Sequence, residues 1–156
     1  MFRAMRRQKQ QLSEDACIAL LRTAPRGVLA VLGDDGYPYA VPLDFVYDSG
    51  RLYFHCAVEG HKLDAIRRND KVSFCVYSEG THESGDWSLW FQSVIVFGRM
   101  QVLTDETERI VRLRQLGQKY DPDPESVERT IEKHAAHALV LVLQVEHMTG
   151  KTVHEK

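Results

Sequence analysis

The alternation of apolar and polar positions predicts a chain built mainly of β-strands. Residues 28–32 are apolar throughout, which is typical of a strand covered on both faces. Residues 37–47 alternate, and Pro38 and Pro42 interrupt backbone pairing there. We therefore expect this second strand at a sheet edge or with a bulge. Further strands are predicted at residues 51–56, 71–77, 87–103 and 139–145.

Short turns connect the early strands. Asp34-Asp35-Gly36 and Asp48-Ser49-Gly50 are turn signals, and each stands between two predicted strands. Turns this short join antiparallel strands, whereas parallel neighbours need a long crossover connection. The pattern therefore excludes an all-parallel α/β fold. The polar, glycine-containing segment 78–86 is expected to be a flexible loop.

Helical periodicity and capping residues predict helices between and beside these strands. Ser13 is a typical N-cap, with Glu14 and Asp15 in the first helical turn. A short helix is expected over residues 61–69, directly after Gly60. The two later helices are expected to begin after Thr104 and at Glu125.

The chain shows no internal repeat and no linker that would divide it into domains. We expect one domain at residues 13–147, between a basic, solvated N-terminal arm at residues 1–12 and a polar tail at residues 148–156. The arm has no apolar run of the kind that a secretory signal contains. The expected fold class is mainly β with peripheral helices, arranged as a mixed barrel.

Composition adds few constraints. The formal net charge is −2, with 44% hydrophobic and 27% charged residues, as in ordinary globular proteins. We expect neither nucleic acid nor a membrane as partner, since no basic excess and no run of about 18 apolar residues is present. The three cysteines, Cys17, Cys56 and Cys75, form no CxxC pair. Reduced, buried thiols in a cytoplasmic protein fit this pattern.

The most informative stretch for chemistry runs from residue 52 to residue 64. A strand ends at the small residues Cys56 and Ala57, turns at Gly60 and enters a helix with His61 and Lys62 in its first turn. Backbone N–H groups and the positive end of a helix favour a phosphate, and a lysine adds a full charge. The pattern is typical of an anion site, although a strand, a glycine and a lysine in this order also occur by chance.

Other candidate sites are weaker. His134 and His137 have a metal-ligand spacing but no carboxylate or cysteine completes a set, so exposed or capping histidines are expected. Trp87 and Trp90 could line a pocket or simply pack. No GxSxG, P-loop or GxGxxG motif is present.

Several motifs together resemble the FMN-binding split barrels of the pyridoxamine 5′-phosphate oxidase type, and within them the branch that includes nitroimidazole-resistance proteins. The resemblance covers nearly the whole chain in the right order. The motifs are Val41-Pro42-Leu43, residues 52–57, residues 60–66, residues 93–99, Met1-Phe2-Arg3, Met5-Arg6-Arg7 and Thr149-Gly150-Lys151.

The resemblance implies a split β-barrel that binds FMN at a homodimer interface. It places Cys56, Ala57, His61 and Lys62 beside the phosphate. It places Val41, Pro42 and Leu43 beside the isoalloxazine ring, and Ser93 as a hydroxyl contact. Alternation puts His55 on the face opposite Cys56, so it faces either the pocket or the solvent.

The function that the resemblance implies is electron transfer through FMN, from a reductant such as a nicotinamide to a small acceptor such as a nitro compound. No residue pattern marks a general acid or base, so no catalytic residue is assigned. The alternatives are a non-catalytic protein that stores or senses flavin or haem and, less well supported, a pyridoxamine 5′-phosphate oxidase-type enzyme. The latter needs further basic residues for a second phosphate, and residues 147–156 offer no convincing set.

Overall fold

A curled antiparallel sheet of eight strands forms the centre of the described part of the chain. The structure is a computed structural model and describes residues 1–85 and 87–154. The sheet order is β2-β1-β5-β7-β8-β4-β3, and β6 pairs with β7. The strands are β1 (Arg26–Leu32), β2 (Pro38–Asp44), β3 (Val46–Asp48), β4 (Arg51–Ala57), β5 (Lys71–Tyr77), β6 (Thr81–His82), β7 (Leu89–Val102) and β8 (Ala138–His154).

Helices cover parts of this sheet. Ser13 caps the first helix, as predicted, because its side chain accepts a hydrogen bond from the Ala16 N–H. The third helix is capped by Asp105 rather than by Thr104, and the fourth begins at Pro124 with Asp123 as cap. The helices are α1 (Glu14–Thr23), α2 (His61–Arg68), α3 (Glu106–Tyr120) and α4 (Pro124–His134), with short 3-10 turns at Gln8–Gln10, Asp34–Gly36 and Ala135–His137.

The two edge strands of the sheet, β2 and β3, follow one another in the chain. Only Phe45 separates them, so the sheet must curl until its edges meet. β2 comes within 8 Å of β4 without sharing a ladder with it, and this gap is the split of the barrel. The predicted split barrel is confirmed, and the strand with Pro38 and Pro42 is an edge strand, as expected.

The barrel interior is filled by aromatic and aliphatic side chains. The rings of Phe45 and Phe54 each contact Phe74 edge to face, with centroids 4.9 and 5.0 Å apart. Phe45, Phe54 and Phe74 are fully buried, as are Leu29 and Leu141. This core holds β1, β4, β5 and β8 around one centre, and so fixes the positions of β4 and the turn that leads into α2.

The last strand is longer than its sequence indicates. Residues 148–154 were expected to be part of a polar tail, but they pair with β7 as the end of β8. The register shifts between Phe97 and Gly98, where a Cβ on Gly98 would lie 2.0 Å from the Gln144 carbonyl oxygen. A strand segment with many polar residues resembles a loop in the sequence, because the sequence does not show which strand it pairs with.

Two further expectations need correction. The N-terminal arm is not wholly solvated, because the Phe2 ring stacks on His147 with centroids 4.6 Å apart and the Leu12 N–H donates to the Gly150 carbonyl. The segment 78–86 contains the short strand β6, paired with β7, and residue 86 lies outside the described residues. The long strand β7 begins at Leu89, two residues after its predicted start.

The C-terminal end of α3 is attached to the bend between β2 and β3. The Lys119 Nζ donates to the carbonyl oxygens of Ala24 and Phe45, both at 2.8 Å, and lies 4.0 Å from the centroid of the Phe45 ring. The Tyr120 hydroxyl accepts from the Phe45 N–H at 2.9 Å and donates to the Pro25 carbonyl. These bonds satisfy backbone groups at the break between the two edge strands.

This attachment predicts a pH dependence of stability. Desolvation lowers the pKa of Lys119 from 10.5 to about 8, and Asp44 offsets part of the shift. Between about pH 8 and 10.5 the unfolded chain therefore binds more protons at this amine than the folded chain, so the free energy of unfolding should rise with pH in this window. Urea denaturation of the parent and of Lys119→Met at several pH values measures the difference.

The comparison with the variant isolates the lysine. Burial raises the pKa values of Cys17, Cys56 and Tyr120, and these groups titrate in the same range with the opposite effect on stability. They are present in both proteins and cancel in the difference. A parent-minus-variant difference that stays flat from pH 8 to 10.5 would show that the amine is not desolvated.

Candidate functional site

The N-terminus of α2 is presented at one end of the barrel. Gly60 precedes it with φ 136°, a conformation that side chains disfavour, and its carbonyl accepts hydrogen bonds from the N–H groups of Leu63 and Asp64 at 2.9 and 3.2 Å. The helix packs inward through Leu63 and other apolar residues. Its first backbone N–H groups, those of His61 and Lys62, precede the intrahelical bonds and are available to an anion.

Lys62 is half-buried and lacks a counter-ion. Its ammonium group has no hydrogen bond and no ion pair with any residue of the ranges 1–85 and 87–154. Burial raises the pKa of the Cys56 thiol, and the nearby charges of Lys62 and Arg67 offset part of that rise. The structure thus brings together Cys56 and Lys62, which the sequence places in the same anion site, and leaves the lysine charge uncompensated.

His61 is engaged by a turn that sequence reasoning missed. Its ring stacks on Tyr39 of β2, with centroids 4.2 Å apart, and its Nε2 lies 3.4 Å from Asp34 Oδ2. The other oxygen of Asp34 accepts from Arg68 at 2.5 Å. The Asp34-Asp35-Gly36 signal predicted only a turn, and nothing local indicated that α2, which begins 27 residues after Asp34, would pack on it. Through these contacts His61 helps to hold α2 against β2 and the preceding turn.

The predicted ring-side residues lie on both faces of the edge strand β2. Val41 and Leu43 are partly buried and pack against the core, whereas Pro42 is exposed on the outer face. The side of β2 that faces the split pairs with no strand in the described part of the sheet. Pro42 and its even-numbered neighbours turn their backbone groups away from β1, so this free edge is open to a planar ligand, which is the contact that the resemblance implies.

The predicted site residues of β4 lie on two opposite faces of the sheet. Cys56 is buried in the barrel core, while His55 and Ala57 are exposed on the opposite face. His55 lines a cavity between β4, α3 and α4, together with Asp44 from the end of β2. The open question about His55 is thereby answered: its side chain faces the helical side of the molecule and not the Cys56 thiol.

Ser93 lies apart from the α2 cluster within one chain. It stands on the outer face of β7, in register with Tyr77 and Lys151. Three strand spacings, about 14 Å, separate β7 from β2 along the sheet. A site that includes both Ser93 and Pro42 therefore has to extend over the outer sheet face.

The remaining candidates stay outside this cluster. Trp87 is 95% exposed, and Trp90 is paired in β7 opposite Thr81. The three cysteine thiols are free; Cys17 and Cys56 are buried, as expected, whereas Cys75 is only partly buried. Within residues 1–85 and 87–154, no cluster of histidine, cysteine and carboxylate side chains could hold a metal ion. No helix of that same part of the chain is both long and apolar enough to cross a bilayer.

Comparison with known proteins identifies the family. The family model described as pyridoxamine 5′-phosphate oxidase matches residues 13–152. The chain therefore belongs to the pyridoxamine 5′-phosphate oxidase family, a family of flavin-binding split barrels. No curated protein matches the sequence.

Solved structures share the fold over most of the chain. A candidate 5-nitroimidazole antibiotic resistance protein from Bacteroides thetaiotaomicron is 21% identical, with a TM-score of 0.76 over 91% of this chain and 86% of its own. An FAD-binding protein from Mesorhizobium loti is 25% identical, with a TM-score of 0.67 over 92% and 97%. An FAD and haem binding protein from Mycobacterium smegmatis is 25% identical, with a TM-score of 0.74 over 96% and 75%.

Proposed function

We propose that this protein binds a flavin nucleotide, FMN, and passes electrons through it from a reductant to a small acceptor. The observation that carries the proposal is the uncompensated, half-buried charge of Lys62 at the N-terminus of α2, in a chain whose residues 13–152 match a flavin-binding family. A phosphate at this helix end would accept hydrogen bonds from the first backbone N–H groups and neutralise the ammonium group.

The residues of the chain would act by binding and orientation. The open edge of β2 would border the isoalloxazine ring, with Val41 and Leu43 as the partly buried contacts. The bound flavin would supply the redox chemistry, and the surrounding backbone and side chains would tune its potential. We assign no catalytic acid or base, because no residue pattern in this sequence marks one.

FMN rather than FAD is the proposed nucleotide, although both carry a phosphate that suits Lys62. The proteins from Mesorhizobium loti and Mycobacterium smegmatis are described as binding FAD, so the two nucleotides need a direct comparison. Parallel titrations of flavin-free protein with FMN and FAD, followed by flavin fluorescence, provide it. Tighter binding of FMN is the expected result, and a preference for FAD would contradict this part of the proposal.

We further propose a homodimer in which each flavin contacts both chains. Ser93 and Pro42 share the outer face of the sheet but lie three strand spacings apart. That face also carries exposed apolar side chains, among them Ile95 and Phe97 at 40% and 37% exposure. A second copy on this face would bury the apolar side chains and bring its own Ser93 toward the first chain's β2.

The absorption spectrum and redox behaviour of the purified protein test the proposal. We expect flavin bands that are released on denaturation, bleached by a nicotinamide donor without oxygen and restored by a nitro compound such as a nitroimidazole. A second candidate is a non-catalytic holder of flavin or haem, since the Mycobacterium smegmatis protein is described as binding FAD and haem. A bound flavin that stays oxidised with every donor, or a haem spectrum, would favour that candidate.

A further inference from the structure

One carboxylate contacts both ends of α2. Asp34 lies in the turn between β1 and β2. Its Oδ2 lies 3.4 Å from the Nε2 of His61, the first residue of α2, and its Oδ1 accepts from Arg68, the last residue, at 2.5 Å. Two helical turns separate His61 from Arg68, so their side chains lie on the same face of the helix. Asp34 therefore holds α2 against the turn along the whole length of the helix.

The residue before Asp34 leaves room for this contact. A Cβ on Gly33 would lie 3.4 Å from His61 Nε2 and 2.7 Å from the Tyr37 carbonyl oxygen. The backbone is held there as well, because the Gly33 N–H donates to the same carbonyl at 2.8 Å. The first residue of α2 can therefore approach the turn closely because position 33 has no side chain.

The same end of α2 also contacts β2. The His61 ring stacks on Tyr39, with centroids 4.2 Å apart and an angle of 24° between the rings. Tyr39 and Val41, which is a proposed contact of the isoalloxazine ring, lie on the same face of β2. Asp34, His61 and Tyr39 thus link the helix end proposed for the phosphate to the strand proposed for the ring. One ribityl chain joins the phosphate of FMN to its ring, so both ends bind only if α2 and β2 are correctly spaced.

We propose that Asp34 is a positioning residue for the flavin phosphate, which acts by holding the N-terminus of α2 in place relative to β2. This inference rests on the proposed function, in which Lys62 and the first N–H groups of α2 contact the phosphate.

The sign of the effect distinguishes positioning from simple electrostatics. Asp34 contacts His61, the neighbour of Lys62, so its negative charge by itself repels a phosphate bound there. If Asp34 acted only through this charge, its removal would strengthen FMN binding. If it positions α2, its removal weakens FMN binding although a repulsive charge is lost.

Titration of flavin-free protein with FMN and with riboflavin tests the proposal on the full chain. Asp34→Ala should weaken FMN binding about three- to thirtyfold and change riboflavin binding less than about twofold, because riboflavin has no phosphate. Asp34→Asn keeps an acceptor oxygen and should bind FMN more tightly than Asp34→Ala. Glu128→Ala is the matched control and should leave FMN affinity unchanged. Glu128 accepts from Arg114 at 2.9 Å and so likewise joins two elements, α4 and α3.

The variants should remain folded. The side chains of Asp34, His61 and Arg68 are 61%, 39% and 55% exposed, and ion pairs this exposed contribute little to stability. Thermal unfolding of the flavin-free proteins checks that the parent and Asp34→Ala unfold at similar temperatures.

A double-mutant cycle with Lys62 separates positioning from a general structural role. In the Lys62→Ala background, Asp34→Ala should weaken FMN binding by a factor at least about threefold smaller than in the parent, because the contact that Asp34 positions is already lost. A residue with only a structural role would give the same factor in both backgrounds.

The outcomes distinguish this inference from the proposed function. Equal factors in the two backgrounds, or FMN binding by Asp34→Ala at least as tight as in the parent, would overturn the role of Asp34 while leaving the Lys62 site intact. If Lys62→Ala itself binds FMN as tightly as the parent, the proposed phosphate site is wrong, and the inference about Asp34 is overturned with it.

Discussion

Lys62→Ala should weaken FMN binding by roughly ten- to a hundredfold while leaving riboflavin binding nearly unchanged. A charge-assisted hydrogen bond contributes roughly 1.5–3 kcal/mol, which corresponds to this loss of affinity. Riboflavin lacks the phosphate and therefore cannot sense the ammonium group. Isothermal titration or flavin fluorescence with flavin-free protein gives both constants. The contrast between the two ligands separates a phosphate contact from a general disturbance of the fold.

Two further variants sharpen the test. Lys133 is exposed in the last turn of α4, so Lys133→Ala removes the same charge at a distance and should leave FMN affinity unchanged. Lys62→Arg keeps the charge with a different shape and should retain part of the affinity. If Lys62→Ala binds FMN as tightly as the parent, the phosphate does not lie at the N-terminus of α2.

Ile95→Asp should convert a dimeric protein to a monomer at micromolar concentration. Ile95 is 40% exposed at the centre of an outer-face row that continues through Cys75 and Val28 to Pro42. A carboxylate buried there without a partner costs about 3–5 kcal/mol, which weakens association by more than about a hundredfold. Sedimentation velocity of parent and variant measures the effect.

The control for this variant places the same charge outside the proposed interface. Val111 on α3 is 48% exposed, so Val111→Asp changes the chain in the same way on a different surface and should leave the dimer intact. FMN should shift the parent toward the dimer, because the proposed shared site would exist only there. A parent protein that stays monomeric while it holds stoichiometric FMN would contradict the shared site and leave only the pocket around Lys62.

The local features of this fold could be predicted from the sequence because each depends on residues a few positions apart. The turn at Asp48-Ser49-Gly50, the Ser13 cap and the change from strand to helix at Gly60 are of this kind. The short turns alone were enough to predict that the early strands are antiparallel. The order in which Gly60, His61 and Lys62 follow a strand also predicted the helix N-terminus at which we propose the phosphate.

Features that depend on distant residues were decided by the tertiary structure. The end of β8 looks like a polar tail until β7 is placed beside it, and Glu146 is an extra residue only because the register shifts at Phe97. Lys119 donates to the carbonyl oxygens of Ala24 and Phe45, which lie 95 and 74 residues away in the chain, and the second bond holds the bend at Phe45 between β2 and β3. Alternation within one segment contains no information about such partners.

The same distinction holds for the candidate sites. The sequence predicted Lys62 at the start of a helix. Only the packing of α2 on the turn at Asp34 shows that this carboxylate contacts His61 and Arg68 and leaves Lys62 without a counter-ion. Alternation along β4 places His55 opposite Cys56, but the sequence does not predict which other elements cover that face of the strand. The helices α3 and α4 cover that face and leave a cavity beside it, since their contact at Gly117 and the bonds of Arg109 hold them at a fixed distance from β4.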